Sequence, residues 1–162
     1  MAKIERKYLA HFINTAASGD EANYTRLGKD LEEFAPELAA EVETKKNILG
    51  ETNILISGYE KTASVEPYYA EAGSDLFNRL QAIVDGNLIL EDLKTDVIEV
   101  KLWETETDGT YPAYKEEAYI EVTSYGGDTT GYQIPFTLHY TGVKTKGTFN
   151  PATKTFAAEA AV

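Results

Sequence analysis

The stretch Tyr114-Lys-Glu-Glu-Ala-Tyr-Ile-Glu-Val-Thr-Ser-Tyr125 decides the fold class, because apolar and polar side chains alternate along it. Successive side chains of a β-strand point to opposite faces, so this period predicts a strand with one buried face. In this prediction three side chains point toward the core: Ala118, Ile120 and Val122. Four side chains point outward: Glu117, Tyr119, Glu121 and Thr123.

Similar alternation on both sides of this stretch predicts further strands and therefore a mainly β chain. A strand over residues 95–104 precedes it, separated by a turn at Asp108-Gly109. A strand over residues 132–141 follows the turn at residues 126–128, and Pro135 within it indicates an edge, a bulge or a strand end. Four more strands are predicted outside this region: one at residues 8–13, one starting near Asn23, and two in a closing hairpin of residues 143–149 and 155–160.

Helical periodicity is clear once, over residues 74–85. Ser74 is a good N-cap, and Gly86 is expected to end the helix. The apolar side chains recur on one stripe, which must pack against a sheet: Leu76, Phe77, Leu80, Ile83 and Val84. The chain is therefore predicted to be α+β, with one helix flanking an antiparallel sheet.

A long hairpin is predicted between the opening strands and the helix. Residues 37–44 alternate as a half-exposed strand, residues 45–53 form the tip, and residues 54–65 return. The tip carries Ile48-Leu49, and loops usually avoid exposing two adjacent large aliphatic side chains. These two residues either fold back onto the domain or are kept for a partner.

Length and composition predict one soluble domain over residues 1–162. The chain has 43% hydrophobic residues, which suffices for one core, and its apolar runs are too short for a membrane-spanning helix. Fifteen basic against 27 acidic residues give a formal charge of −12, which disfavours tight binding to nucleic acid or to anionic lipid. The absence of cysteine leaves the compartment open, and production in the cytoplasm is the simplest interpretation.

No arrangement of residues predicts catalysis, a metal site or a cofactor site. His11 and His139 lie in predicted strands without metal-ligand spacing, and no nucleophile motif or phosphate-binding glycine loop is present. Glu116 and Glu117 point to opposite faces of one strand, so we interpret them as solvated carboxylates. The 11 tyrosines suit either cross-strand packing or an interface.

The order of several short phrases resembles the major tail tube proteins of long-tailed, siphovirus-like phages of Gram-positive bacteria. The likeness covers nearly the whole chain as a pattern of strands, the long hairpin and the helix. The phrases that carry it are Tyr8-Leu-Ala-His-Phe-Ile-Asn-Thr15, Tyr24-Thr-Arg-Leu-Gly28, Val97-Ile-Glu-Val-Lys-Leu-Trp103, Tyr119-Ile-Glu-Val-Thr-Ser-Tyr-Gly-Gly127 and Lys146-Gly-Thr-Phe-Asn-Pro151.

This resemblance implies an antiparallel β-sandwich or barrel whose copies join into hexameric rings, which stack into the tail tube. It implies no cofactor and no membrane, assembly in the host cytoplasm and a final place in the virion tail. The implied partners are other copies of the chain, the tape measure protein in the lumen, and the tail terminator and distal tail proteins. DNA is implied as a transient, non-specific passenger during ejection.

The resemblance also assigns roles to residues. The hairpin tip becomes a ring-stacking loop, formed by Lys45, Ile48, Leu49, Gly50 and Asn53. Carboxylates that keep DNA phosphates off the wall would line the lumen, and the candidates on polar faces of central strands are Glu99, Glu117 and Glu121.

Two other functions compete with this interpretation. An inner-tube subunit of a contractile tail, or of a phage-tail-like bacteriocin, shares the ring design, and a neighbouring sheath gene would identify it. A small carbohydrate-binding β-sandwich would use Trp103 and tyrosines as stacking platforms.

Overall fold

The computed structural model describes residues 2–28, 31 and 33–159. Within these residues the chain forms eleven strands, one α-helix and two single-turn 3₁₀ helices at Arg6–Tyr8 and Leu90–Leu93. In chain order the main elements are β1 (Leu9–Asn14), β2 (Tyr24–Leu27), β3 (Ala40–Lys46), β4 (Thr52–Tyr59), β5 (Thr62–Val65), α1 (Asp75–Gly86), β6 (Lys94–Lys101), β7 (Tyr111–Val122), β8 (Gly126–Asp128), β9 (Gly131–Gln133), β10 (Phe136–Asn150) and β11 (Thr155–Ala158).

One antiparallel sheet forms the body of the protein, in the order β11-β10-β7-β6-β1-β2, with β5 also paired to β10. The long strand β10 has two partners on one side, because β5 pairs with its first half and β11 with its second half. Its register against β7 shifts between Tyr140 and Lys144. Such an irregularity bends a strand and increases its twist, so it lets the sheet curl.

The two faces of the curled sheet carry separate hydrophobic clusters. On the face that we call the helix face, Ile13 lies opposite Val97 and packs with Ile120 and Leu138 beneath α1. On the other face, which we call the concave face, Phe12 of β1 contacts Phe149 of β10 with 4.6 Å between ring centroids. These strands are separated by β6 and β7 in the sheet, so only a curled sheet can bring their side chains together.

Helix α1 is held by its apolar stripe and by one buried cation. Leu76, Leu80 and Ile83 are buried against the sheet, and each gains about 1.5 to 3 kcal/mol by leaving water. Arg79 is also buried and donates hydrogen bonds to the backbone oxygens of Ala16, Asp92 and Lys94. Burial lowers the pKa of Arg79, while the Asp92 carboxylate opposes that effect. The guanidinium therefore ties the helix to the loop after β1 and to the start of β6.

The main structural prediction, a mostly β chain with one flanking helix, is confirmed. Ser74 is the N-cap of α1, and its side chain accepts a hydrogen bond from the backbone nitrogen of Phe77. The expected end at Gly86 is wrong by one residue, because Gly86 is still helical and Asn87 adopts the left-handed conformation, with φ of 48°. Pro135 marks a strand end, since β9 stops at Gln133 and β10 starts at Phe136.

Three strand predictions are wrong in detail. Residues 54–65 are not one strand, because β4 belongs to a separate two-stranded sheet and β5 joins the main sheet. Residues 132–141 and 143–149 are not two separate strands, since β10 runs through both ranges across its bulge. The turn predicted at residues 126–128 is strand β8, which pairs with β9. The last strand is confirmed over Thr155–Ala158, and Ala160 of its predicted range lies outside the described residues.

Candidate functional site

The most unusual feature is the two-stranded sheet of β3 and β4, which we call the arm (residues 40–59). Its residues are exposed along both strands, apart from a half-buried Gly58. The prediction that the first strand is half-exposed is therefore wrong, because neither of its faces packs on the body. Its large apolar side chains are between 49% and 65% exposed: Val42, Ile54, Leu55, Ile56 and Tyr59.

A well-defined turn closes the arm. The Asn47 side-chain oxygen accepts hydrogen bonds from the backbone nitrogens of Leu49 and Glu51 at 2.9 and 3.0 Å. Gly50 supplies the positive φ, 82°, that the turn requires. Local hydrogen bonds thus specify the turn without help from the body.

The turn presents Ile48 and Leu49 at its outer end, where they are 101% and 76% exposed. Of the two possibilities for this pair, folding back onto the domain is excluded by their exposure. The predicted loop residues Ile48, Leu49 and Gly50 lie in the turn itself, while Lys45 and Asn53 face each other across the strands. The structure therefore brings all five residues together at one end of the arm.

Among the residues that the structure describes, the arm is attached to the body at its base. Glu37 and Thr62 exchange backbone hydrogen bonds of 2.7 and 2.9 Å, and Glu60 donates to the Ala39 carbonyl at 3.3 Å. A lone two-stranded hairpin is marginally stable in water. Contiguous exposed apolar surface usually marks a place where another molecule binds. The arm has the properties of a segment that is completed by a partner.

Two edge strands, β2 and β11, lie at the ends of the strand order. Strand β2 pairs only with β1, and β11 pairs only with β10, among the residues that the structure describes. Each is four residues long, and free backbone groups along such an edge can pair with another chain. Within the described residues the sheet curls without pairing β2 to β11.

The three predicted lumen carboxylates do not lie on one face. Glu99 lies opposite His11, hence on the helix face, while Glu117 and Glu121 lie on the concave face. Glu117 pairs with Lys94 at 3.5 Å, and Glu121 contacts His139 at 2.7 Å. Only Glu117 and Glu121 can therefore contribute to one shared surface.

Glu99 belongs to a partly buried polar cluster beside the helix-face core. The Nε2 atom of His11 lies 3.2 Å from the Glu99 carboxylate. This hydrogen bond holds the pKa of Glu99 below its usual range against the opposing effect of burial, with help from the charges of His11, Lys61 and Lys144. Because its partners belong to the same chain, Glu99 is better suited to stabilising the fold than to lining a water-filled channel.

The same cluster contains an ion pair that sequence reasoning missed. The Nζ atom of Lys61 lies 2.7 Å from the Glu116 carboxylate, with the side chains 16% and 9% exposed. Lys61 also lies 4.8 Å from the centroid of the Tyr140 ring. The interpretation of Glu116 as a solvated carboxylate is wrong. The alternation itself contained the signal, because Glu116 shares the face of Ala118 and Ile120.

A polar cleft of about 620 Å³ lies on the concave face between the loop after β1 and strands β6 and β7. Its walls include Asn14, Tyr24, Asp96 and Glu117. The Tyr24 hydroxyl donates to Asp96, and burial together with this carboxylate raises the pKa of Tyr24 above its usual range. Asn14 donates to the same carboxylate at 3.1 Å. These groups satisfy one another, so the cleft presents no reactive pair.

No cluster of three or more metal-ligating side chains occurs among the described residues. Across the same part of the chain, no helix is long and apolar enough to cross a membrane. The chain matches no family model, and a search of curated proteins gives no match. The arm, the edge strands and the distribution of charge are therefore the features from which a function must be argued.

Proposed function

We propose that this chain is a structural subunit that polymerises into the tail tube of a long-tailed phage. Copies join side by side into hexameric rings through their edge strands, and rings stack through the arm. The observation that carries the proposal is the arm, with Ile48, Leu49 and five further large apolar side chains exposed. A monomer gains nothing from exposing these side chains, whereas a polymer buries them at every repeat.

The edge strands support the ring. Strands β2 and β11 lie at opposite ends of the strand order, so one copy can add its β11 to the β2 of a neighbour. A contact between two different surfaces repeats from copy to copy and closes into a ring when the rotation allows it. The sheet would then continue from subunit to subunit.

The concave face around Glu117 and Glu121 is the better candidate for the lumen wall, because α1 packs on the helix face over Ile120 and Leu138. Glu117 and the 55% exposed Glu121 would supply negative charge there. Their repulsion of DNA phosphates is short-ranged, about 10 Å at 0.1 M salt, so it keeps DNA off the wall and acts weakly at the axis. Replacing both residues with lysine should slow DNA ejection from assembled tails, and unchanged ejection would remove them from the lumen.

Negative-stain electron microscopy of the purified chain at increasing concentration, with mass measurement, tests the proposal. We expect rings or hollow tubes from the wild type. The double variant Ile48→Asp/Leu49→Asp should remain a folded subunit that does not elongate, because the substituted residues touch nothing in the body. Glu43→Gln, an exposed change in a strand of the same arm, is the matched control. Tubes of normal length from the double variant would contradict the stacking role.

An inner-tube subunit of a contractile tail would use the same rings, arm and edges. A sheath gene next to the gene for this chain, or a sheath around the isolated tube, would select that alternative.

A further inference from the structure

An apolar groove lies at the end of the body where α1 and β7 finish. Its volume is about 420 Å³, and its lining includes Val84, Leu88 and Ile89 on one side and Val122 and Tyr125 on the other. Ile89 and Tyr125 are 66% and 65% exposed. The groove is thus a hydrophobic surface in contact with water, which is costly unless another molecule covers it.

The groove and the arm point in opposite directions along the sheet. The groove adjoins Val122, which pairs with Phe136 at the start of β10. The arm rejoins the body just before Lys61, whose carbonyl accepts a hydrogen bond from the backbone nitrogen of Tyr140. Because the ladder of the arm base continues from Thr62 of β5, and β5 is antiparallel to β10, the arm extends in the direction in which β10 runs. A copy therefore carries an apolar tip toward one end and an apolar groove at the other.

Charged residues of opposite sign lie beside the two features, and Glu51 adds a negative charge at the tip. Asp85 lies in the last turn of α1, where no basic residue offsets the negative end of the helix dipole. Beside the tip, Lys46 makes no ion pair within the part of the chain that the structure describes, and Lys45 has only an exposed contact with Glu43. Bringing the tip to the groove would place these lysines near Asp85 and the negative end of the helix dipole.

We propose that Ile48 and Leu49 of one copy insert into this groove of a second copy of the chain, with Lys46 facing Asp85. The inference rests on the proposed function and names the receptor surface for the arm. Contacts of a tip with a groove are heterologous, and because the two features lie at opposite ends of the subunit, the contacts can repeat along an axis. They therefore suit the stacking of rings rather than the closure of a ring.

Disulfide trapping tests this pairing directly, because the chain contains no cysteine. In the double variant Leu49→Cys/Ser124→Cys, one cysteine is at the tip and the other is on the rim of the groove. Oxidation of assembled protein should give a ladder of covalent multimers on a denaturing gel, since bridged cysteines need Cα atoms within about 7 Å. The control Leu49→Cys/Thr153→Cys moves the second cysteine to the turn between β10 and β11 and should give no ladder.

A charge exchange gives a second, independent readout. Asp85→Lys should slow elongation at least several-fold, although lysine at a helix C-terminus stabilises the helix. Lys46→Asp should slow elongation similarly, and the combined variant should recover most of the wild-type rate. Light scattering measures the rate.

Two outcomes would overturn the inference while leaving the proposed function standing: tubes that form with no ladder in the groove variant, or tubes with equal ladders in both cysteine variants. The inference would also be overturned if the combined Asp85→Lys/Lys46→Asp variant elongated more slowly than either single variant. If the wild-type chain forms no ring or tube at any concentration, even with tail tip complexes as initiators, the proposed function fails as well.

Discussion

The body and the arm are both built from strands with alternating side chains, but large apolar side chains are buried in the body and exposed in the arm. In the body, Ile98 of β6 is completely buried and lies opposite Phe12 of the neighbouring strand. In the arm, Ile56 lies opposite Val42 in a similar antiparallel ladder and is 57% exposed. The difference shows that alternation specifies a strand, whereas the layers around it decide whether the apolar face contributes to the stability of the monomer or to an assembly.

The largest expected difference in stability is between removing a buried ion pair of the body and removing an exposed ion pair of the arm. Lys61→Met leaves Glu116 charged and buried without its partner, which should cost about 3 to 5 kcal/mol of unfolding free energy. Lys45→Met removes an exposed pair with Glu43 in the arm and should cost less than about 1 kcal/mol. Urea unfolding of the unassembled subunit measures both. Equal losses of unfolding free energy in the two variants would mean that the ion pair of the arm stabilises the subunit as much as the ion pair of the body.

A matched pair of isoleucines sharpens the comparison. Ile98→Ala should destabilise the subunit by about 2 to 5 kcal/mol, because it removes transfer energy and leaves a cavity. Ile56→Ala should change the stability of the subunit by no more than about 0.5 kcal/mol, as is usual at surface positions. The same denaturation experiment compares them. A loss above about 2 kcal/mol from Ile56→Ala would show that the arm packs on the body in solution.

Local hydrogen-bonding residues should show a smaller contrast. Ser74→Ala removes the N-cap of α1 and should cost about 1 kcal/mol of subunit stability. Asn47→Ala removes the side-chain bonds of the arm turn, so it should leave the melting temperature of the subunit unchanged and slow its elongation. Calorimetry and light scattering separate the two effects. A lower melting temperature from Asn47→Ala would contradict the independence of the turn.

The smallest expected effect is a pH dependence confined to the body. The pKa of Glu99 is lowered from its ordinary value of 4.5 in the folded state, chiefly by the His11 hydrogen bond. Its contribution is therefore present above about pH 4.5 and is lost as the pH falls through the lower, folded-state value. Urea titrations should be made between about pH 5 and pH 3, on both sides of the ordinary pKa of 4.5. Over this range the Glu99→Gln variant should lose less stability than the wild type. If the unfolding free energies of the wild type and the variant fall by the same amount over this pH range, the prediction is contradicted.

The sequence predicted the elements whose signals are local. Ser74 with the apolar stripe of α1, the alternation around Ala118 and Ile120, and the turn at Gly50 all depend on neighbours in the chain, and all three are confirmed. The candidate loop residues at the tip could be predicted for the same reason. What they bind stays a prediction.

Features that depend on distant strands could not be predicted in this way. Whether Glu116 is solvated depends on Lys61, 55 positions earlier in the chain. The exposure of β3 depends on the lack of a covering layer, which alternation does not report. The separation of Glu99 from Glu117 and Glu121 depends on strand register, because moving a pairing by one residue exchanges the faces.

Hydrogen exchange of the arm, before and after assembly, tests the central claim most directly. In the unassembled subunit, the amides of residues 40–59 should exchange much faster than those of β6 and β7, since the arm is exposed and joins the body at its base. In assembled tubes confirmed by electron microscopy, the arm should become protected while the interior of the body changes little. Arm amides that exchange equally fast in subunits and tubes would contradict the claim that the arm is completed by another copy.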